Sequence, residues 1–182
     1  SETWMVDGSI RYDSRDDSWN PRKGTNFKGH LSLGRVDRGG EFAVRRSYRL
    51  DVDRYQPTGS RSLVAVGLHG GQVRQGKHVP AEVRMHLGGI ETIRGYREET
   101  FLATLAVWSN LEWRWLLGLR SRGFFFLDFG YLQDLAGGKK IHAYPIAYGA
   151  GLRMDSQLGI IGFDYGLAKG DSPGQGKVHL QM

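Results

Sequence analysis

The stretch Trp4-Met5-Val6-Asp7-Gly8-Ser9-Ile10-Arg11-Tyr12-Asp13-Ser14 reads with a period of two. Trp4, Val6, Gly8, Ile10 and Tyr12 share one face, while Asp7, Ser9, Arg11 and Asp13 share the other with Met5. Successive side chains of an extended strand point to opposite faces, so this pattern predicts a strand with one apolar and one charged surface.

Working outward, the same alternation recurs eight more times. A second segment sets Phe27, Leu31 and Leu33 against Lys28, His30 and Ser32. A third sets Phe42, Val44, Tyr48, Leu50 and Val52 against Arg45, Ser47, Arg49, Asp51 and Asp53. Arg46 breaks that pattern by falling on the apolar side, where its long stem allows it to snorkel toward an interface. The fourth carries Val64, Val66 and Leu68 opposite Ala65, Gly67 and His69. Alternation then lapses over residues 72–101, which contain Gly88-Gly89 and Arg94-Gly95 and read as one long loop.

Beyond the loop, Leu105, Val107, Leu111, Trp113 and Trp115 oppose Thr104, Asn110, Glu112 and Arg114. Phe125, Leu127, Phe129 and Tyr131 oppose Arg122, Phe124, Phe126 and Asp128. Ile146, Tyr148, Ala150, Leu152 and Met154 oppose Gly149, Gly151, Arg153 and Asp155. Ile161, Phe163, Tyr165 and Leu167 oppose Gly162, Asp164 and Gly166, and Val178, Leu180 and Met182 oppose Lys177, His179 and Gln181. Asn20-Pro21, Gly39-Gly40, Pro57 to Ser60, Ser156 to Gly159 and Pro173-Gly174 supply the turns.

Nine such segments without an amphipathic helix make the chain all-β. Its 182 residues hold 27 Gly, 12% aromatics, no Cys and a formal net charge of +6. The missing cysteines exclude disulfides and thiolate metal sites. No apolar run approaches the roughly 18 residues that a membrane helix needs. The mean hydropathy of −0.43 averages over the two strand faces and therefore does not argue for solubility.

A soluble β-sandwich also has a polar face. Three features favour a transmembrane barrel instead. Aromatics (Trp4, Tyr12, Trp113, Trp115, Tyr131) gather near segment ends on the apolar face, as in an interfacial girdle. The polar face mixes Arg with Asp and Glu among glycines, which suits a crowded lumen. Short and longer turns alternate.

At the loop the sequence resembles a known family. Gly88-Gly89-Ile90-Glu91-Thr92-Ile93-Arg94-Gly95-Tyr96 is similar to the GG-x-x-x-[VI]-R-G-[FY] motif in the sixth extracellular loop of the BamA/TamA superfamily, the bacterial surface antigen family. Four further matches fall in that family's order. They are Tyr12 to Asp16 with Asn20 to Gly24, then Asn110 to Arg114, Phe125 to Gly130, and Gly149 to Gly159 continuing through Phe163 to Gly166.

The resemblance implies an antiparallel outer-membrane β-barrel of Gram-negative bacteria acting in protein insertion or translocation. It implies that the nine segments correspond to the last nine strands of a sixteen-strand barrel, forming one domain over 1–182. It also implies that the loop at about 72–101 is extracellular and folds into the lumen. There Arg94, within the motif Gly88, Gly89, Ile93, Arg94, Gly95 and Tyr96, meets the wall acids Glu112 and Asp128. Strand parity independently puts Glu112 and Asp128 on the polar face. An arginine fork on two carboxylates forms charge-assisted bonds, and Gly95 permits close backbone approach.

The chain departs from the family pattern in ending on Met182, in Gln157 standing where Pro is common, and in its strand number. An odd count leaves the two ends on opposite sides of the membrane, whereas secreted barrels normally count even. Upstream strands, an eight-strand arrangement whose first segment adds to a partner, or two copies sharing one pore would each resolve this. The partners implied are the lipid bilayer and unfolded outer-membrane protein clients. A passive surface antigen, anchor or translocator pore is the alternative.

No enzyme is expected. There is no nucleophile elbow. The histidines, His30, His69, His78, His86, His142 and His179, show no paired metal-ligand spacing. No cofactor or metal is expected. Nor is a nucleic-acid partner, since no stripe of stacking aromatics with Lys or Arg shares one face.

Overall fold

The computed structural model describes residues 4–38, 41–76, 79–136, 139–157 and 159–181. Gly39-Gly40, His78, Leu158 and Met182 lie outside the described residues. The long strands are β1 (Trp4–Asp13), β2 (Gly24–Arg38), β3 (Glu41–Pro57), β4 (Ser62–Gln75), β7 (Leu105–Leu116), β8 (Arg122–Ala136), β10 (Ile146–Ser156) and β11 (Gly159–Ala168). Shorter ones are β5 (Met85–Leu87), β6 (Phe101–Ala103), β9 (Lys139–Ala143) and β12 (Lys177–Gln181). Two single turns of 3-10 helix, Ala81–Val83 and Pro173–Gln175, complete the elements.

Ten strands form one antiparallel sheet in the order β1-β2-β3-β4-β7-β8-β10-β11-β12, with β9 pairing β8. Nine of these correspond to the nine alternating segments, and β9 is the part the pattern did not reveal. It forms a hairpin with the end of β8 before the chain resumes as β10. The interruption is Tyr144-Pro145. Proline has no N–H to give to a ladder, but the Pro145 carbonyl still accepts from the Gly130 N–H at 2.8 Å.

Parity divides the sheet into an outer and an inner face. Outward, Ile10, Leu50, Leu68, Phe125 and Phe163 are exposed and form an apolar band across the strands. Inward, Asp128 and Asp164 are fully buried. The long connection and the hairpins after β2 and β8 lie at one end of the sheet. At the other end, residues 14–23 bridge to neighbouring turns: Asn20 Nδ2 donates to Leu119 O at 3.0 Å, Arg122 to Trp19 O at 3.0 Å, and Arg22 to Ser60 O at 2.7 Å.

The sheet is open. Among the described residues β1 pairs only with β2 and β12 only with β11, so each presents an edge. The described residues thus show the antiparallel sheet and two-faced strands of a membrane barrel, with no pair between β1 and β12 among them.

Two details differ from the sequence expectation. β4 extends to Gln75, because its last three residues pair with β3 after its ladder with β7 has ended at Gln72. The connection without main-sheet ladder pairing therefore runs over 76–104 and not 72–101, and within it β5 and β6 form a small sheet of their own. The inner face is also less polar than its Arg, Asp and Glu content suggests. Leu87 and Ile93 of the connection pack on Ala106, Trp108, Leu132 and Ala147 of the wall, with Met85, Tyr96 and Phe101 around them.

Candidate functional site

The connection between β4 and β6 lies against the inner faces of β7, β8, β10 and β11. Its path is bent by positive-φ glycines at Gly88, Gly89 and Gly95. At Gly95 the φ of +88° coincides with close approach to the wall: an added Cβ would lie 2.8 Å from the Leu167 carbonyl carbon and 2.9 Å from Ala147 Cβ and Ala168 N. Only glycine meets both demands. Gly89 (φ +88°) lies against the Glu98 carboxylate, whose Oε1 accepts from the Ile90 N–H at 3.0 Å. Ile93 is fully buried, its Cδ1 lying over Gly130 of β8. Tyr96 meets Phe101 edge to face at 4.9 Å, and its hydroxyl donates to the Ile146 carbonyl at 3.4 Å.

Between Ile93 and Gly95, Arg94 turns onto the wall with 4% of its surface exposed. Its Nε donates to Asp128 Oδ2 at 2.9 Å, its Nη2 to Asp128 Oδ1 at 2.7 Å, and its backbone N–H to Oδ2 at 2.9 Å. Its Nη1 donates to Glu112 Oε1. The guanidinium carbon lies 3.8 Å from the centroid of the Phe126 ring, a cation–π arrangement.

Both acids have further partners. Asn110 Nδ2 donates to Asp128 Oδ1 at 2.8 Å and to the Thr92 carbonyl at 2.7 Å. Arg114 Nε donates to Glu112 Oε2 at 2.6 Å. Asp128 therefore accepts four bonds, which satisfies the lone pairs of a fully buried carboxylate. A polar cavity of about 280 Å³ adjoins the cluster, bordered by Asp53, His69, Glu91 and Arg114.

Of the six motif residues, Arg94 lies on the two wall acids Glu112 and Asp128, Ile93, Gly95 and Tyr96 lie against the wall beside it, and Gly88 and Gly89 pack within the loop itself. Residues that the sequence reading did not single out complete the cluster: Asn110, Arg114 and Phe126. The ladder explains how they converge, since Asn110 lies directly opposite Asp128, and Glu112 opposite Phe126. Parity alone showed that all four share the inner face, but not that they sit in adjacent rows. A second buried pair lies further round the wall. Arg153 Nη2 donates to Asp164 Oδ2 at 2.8 Å and Nη1 to Oδ1, with Phe124 beneath the guanidinium at 5.1 Å. Glycines at 151 and 162 make room for it.

This cluster has no nucleophile–base pair, and every charged group in it is committed to another. Among the described residues no group of three or more His, Asp or Glu could hold a metal ion. The cluster's contacts run from the loop to the wall, through Arg94 to Asp128 and Glu112. A two-faced antiparallel sheet with an outward apolar band and an ion-paired loop across its inner face defines a β-barrel protein of the outer-membrane type.

The comparisons make this specific. The Omp85 superfamily domain model matches residues 1–182, and the chain belongs to that superfamily. Among solved structures it is similar to BamA from Haemophilus ducreyi lacking POTRA domains 1-3, with a TM-score of 0.75 and 14% identity. That match covers 96% of this chain and 40% of the BamA chain. No curated protein sequence matches it.

Proposed function

We propose that this chain is part of an outer-membrane barrel that helps other proteins insert into or cross the Gram-negative outer membrane, working through a weak strand seam. The observation that carries this reading is the edge at β12. Among the described residues Lys177–Gln181 of β12 pair with Gly162–Gly166 of β11, and the other side of β12 carries no strand. An edge strand offers unpaired N–H and C=O groups, and in lipid these must be satisfied by another strand. A client strand meets that need by β-augmentation.

In this reading the Arg94 cluster holds the loop at the wall and keeps the lumen filled, so clients use the seam and not the bore. Membership of the Omp85 superfamily supports such a role, and this chain spans 40% of the length of the BamA chain that it resembles. Upstream strands or a second copy would pair the free edge of β1.

Reconstitution tests this reading. Vesicles containing the protein should speed the folding of a urea-unfolded barrel client, followed by its heat-modifiable gel shift, relative to empty vesicles. Equal rates would favour the second reading, a passive anchor or surface barrel, for which the packed inner face is the supporting observation.

A further inference from the structure

Arg46 of β3 and Arg74 of β4 are direct cross-strand neighbours. Both are exposed on the outer face, in a row continued by Leu33 of β2 and Val6 of β1. Like charges directly opposite one another weaken an antiparallel pair. No hydrogen bond or ion pair with another described residue relieves this one. Their inward neighbour behaves differently, since Arg45 Nε donates to Gln75 Oε1 at 2.8 Å.

One row nearer the hairpin, Arg35 of β2 adds a third outward guanidinium, stacked 3.8 Å over the Phe42 ring and paired in register with Trp4. Asp37 is the acid on this face, two positions further toward the hairpin tip. On the opposite side of the arginines, past Gln72 of β4, the face is apolar, with Leu31, Tyr48, Leu50 and Leu68 all exposed. Arg74 lies beyond the last β4–β7 pair, so the arginines mark the rim of the sheet and not its middle.

We propose that Arg46 and Arg74, with Arg35 beside them, hold the phosphate of an anionic lipid headgroup, the acyl chains lying on the apolar band below. A guanidinium fork matches phosphate oxygens. A phosphate between the two arginines turns their repulsion into two attractions. The band directly below them favours a lipid over free phosphate, which would leave it uncovered. The proposal rests on the outer face being the lipid face and is independent of the seam.

The test is native mass spectrometry of the full chain released from phosphatidylcholine nanodiscs doped with phosphatidylglycerol. Wild type should carry phosphatidylglycerol above its share of the disc. The double variant Arg46→Gln/Arg74→Gln should lose that enrichment, by roughly fivefold for each arginine removed. Arg120→Gln, at the opposite end of the sheet, should behave as wild type. Undiminished enrichment in the double variant overturns the proposal, as does an equal loss in Arg120→Gln or displacement of the lipid by inorganic phosphate. If the glutamine variant does not enter discs, Arg46→Lys/Arg74→Lys is read in its place. It keeps the charge but loses the fork, so partial loss supports the proposal and no loss overturns it. Wild type that enters discs without enrichment of phosphatidylglycerol overturns the proposal as well.

Discussion

Arg94 grips Asp128 three times: through Nε, through Nη2 and through its own backbone N–H, at 2.7 to 2.9 Å. The backbone bond matters as much as the fork, because it fixes the loop's main chain as well as one side chain. Removing the arginine strands a fully buried carboxylate. Breaking a buried pair from one side costs about 3–5 kcal/mol. Arg94→Ala should therefore release the loop, giving new protease cleavage between Gly76 and Thr100 and a weaker heat-modifiable shift. Arg94→Lys should also fail to restore wild-type resistance, since a single ammonium cannot span Asp128 and Glu112 in the same geometry. Wild-type proteolysis in Arg94→Ala would show that apolar packing alone holds the loop.

Much of the strand pattern was legible because barrel walls print their faces into sequence with period two. Trp4 to Ser14 showed this at a glance, and so did Phe124 to Tyr131. Arg94, Glu112 and Asp128 were legible through family resemblance, since 18 and 34 residues separate the arginine from its two acids. Asn110, Arg114 and Phe126 were not, because which rows lie side by side is set by register, and period two is blind to register. Trp108 was missed for a related reason. It sits on the polar parity yet is 3% exposed, stacked on His69 at 5.1 Å, because the loop supplies an apolar partner inside the barrel. β9 was hidden by Pro145, whose turn-like signal is a local break in a continuing strand.

Gly95 gives a second, backbone-level test. A side chain here meets strain twice, from φ +88° and from Ala147 and the Leu167–Ala168 peptide. An unfavourable φ costs about 1–3 kcal/mol, and the steric term adds to it. Gly95→Val should lift the loop while leaving Arg94 and Asp128 intact. Protease sensitivity in Gly95→Val should then resemble that of Arg94→Ala, whereas Gly88→Ala, whose Cβ would meet the Arg97 carbonyl oxygen, should disturb the loop's own turn and not its seat on the wall. Gly95→Val behaving as wild type would mean that the close approach is not required.

Acid should loosen the opposite end first. The Asp17 carboxylate accepts from the Asn20 and Trp19 N–H groups, both at 2.7 Å, and these bonds hold its pKa below the ordinary value near 3.8. A folded-state pKa below the unfolded one contributes stability that is complete above the unfolded value and is lost as pH falls through the folded one. Amide exchange at Trp19 and Asn20 should stay slow down to the ordinary carboxylate range and speed up below it. Asp17→Asn, which cannot ionise, should flatten that pH response. A response unchanged by Asp17→Asn would assign it to another carboxylate, with Asp16, bonded to the Arg22 and Lys23 N–H groups, the next to substitute.

The Arg153–Asp164 pair lies on the wall and not on the loop, so it offers the complementary test. It links β10 to β11, one strand in from the short edge strand β12. Asp164 is fully buried, and its carboxylate is served by both Nη groups of one arginine. Arg153→Met or Asp164→Asn alone should lower the urea midpoint of the barrel in vesicles, each leaving a desolvated group behind. The double variant should recover much of that loss, since replacing a buried pair with apolar or neutral groups is often nearly neutral. Such coupling within a double-mutant cycle is the expected signature of direct contact. If the pair also stiffens the sheet beside the seam, Arg153→Met should speed hydrogen exchange in β12 while leaving protease resistance of the loop unchanged. Additive single effects, or a loop that opens with them, would place the role of the pair elsewhere.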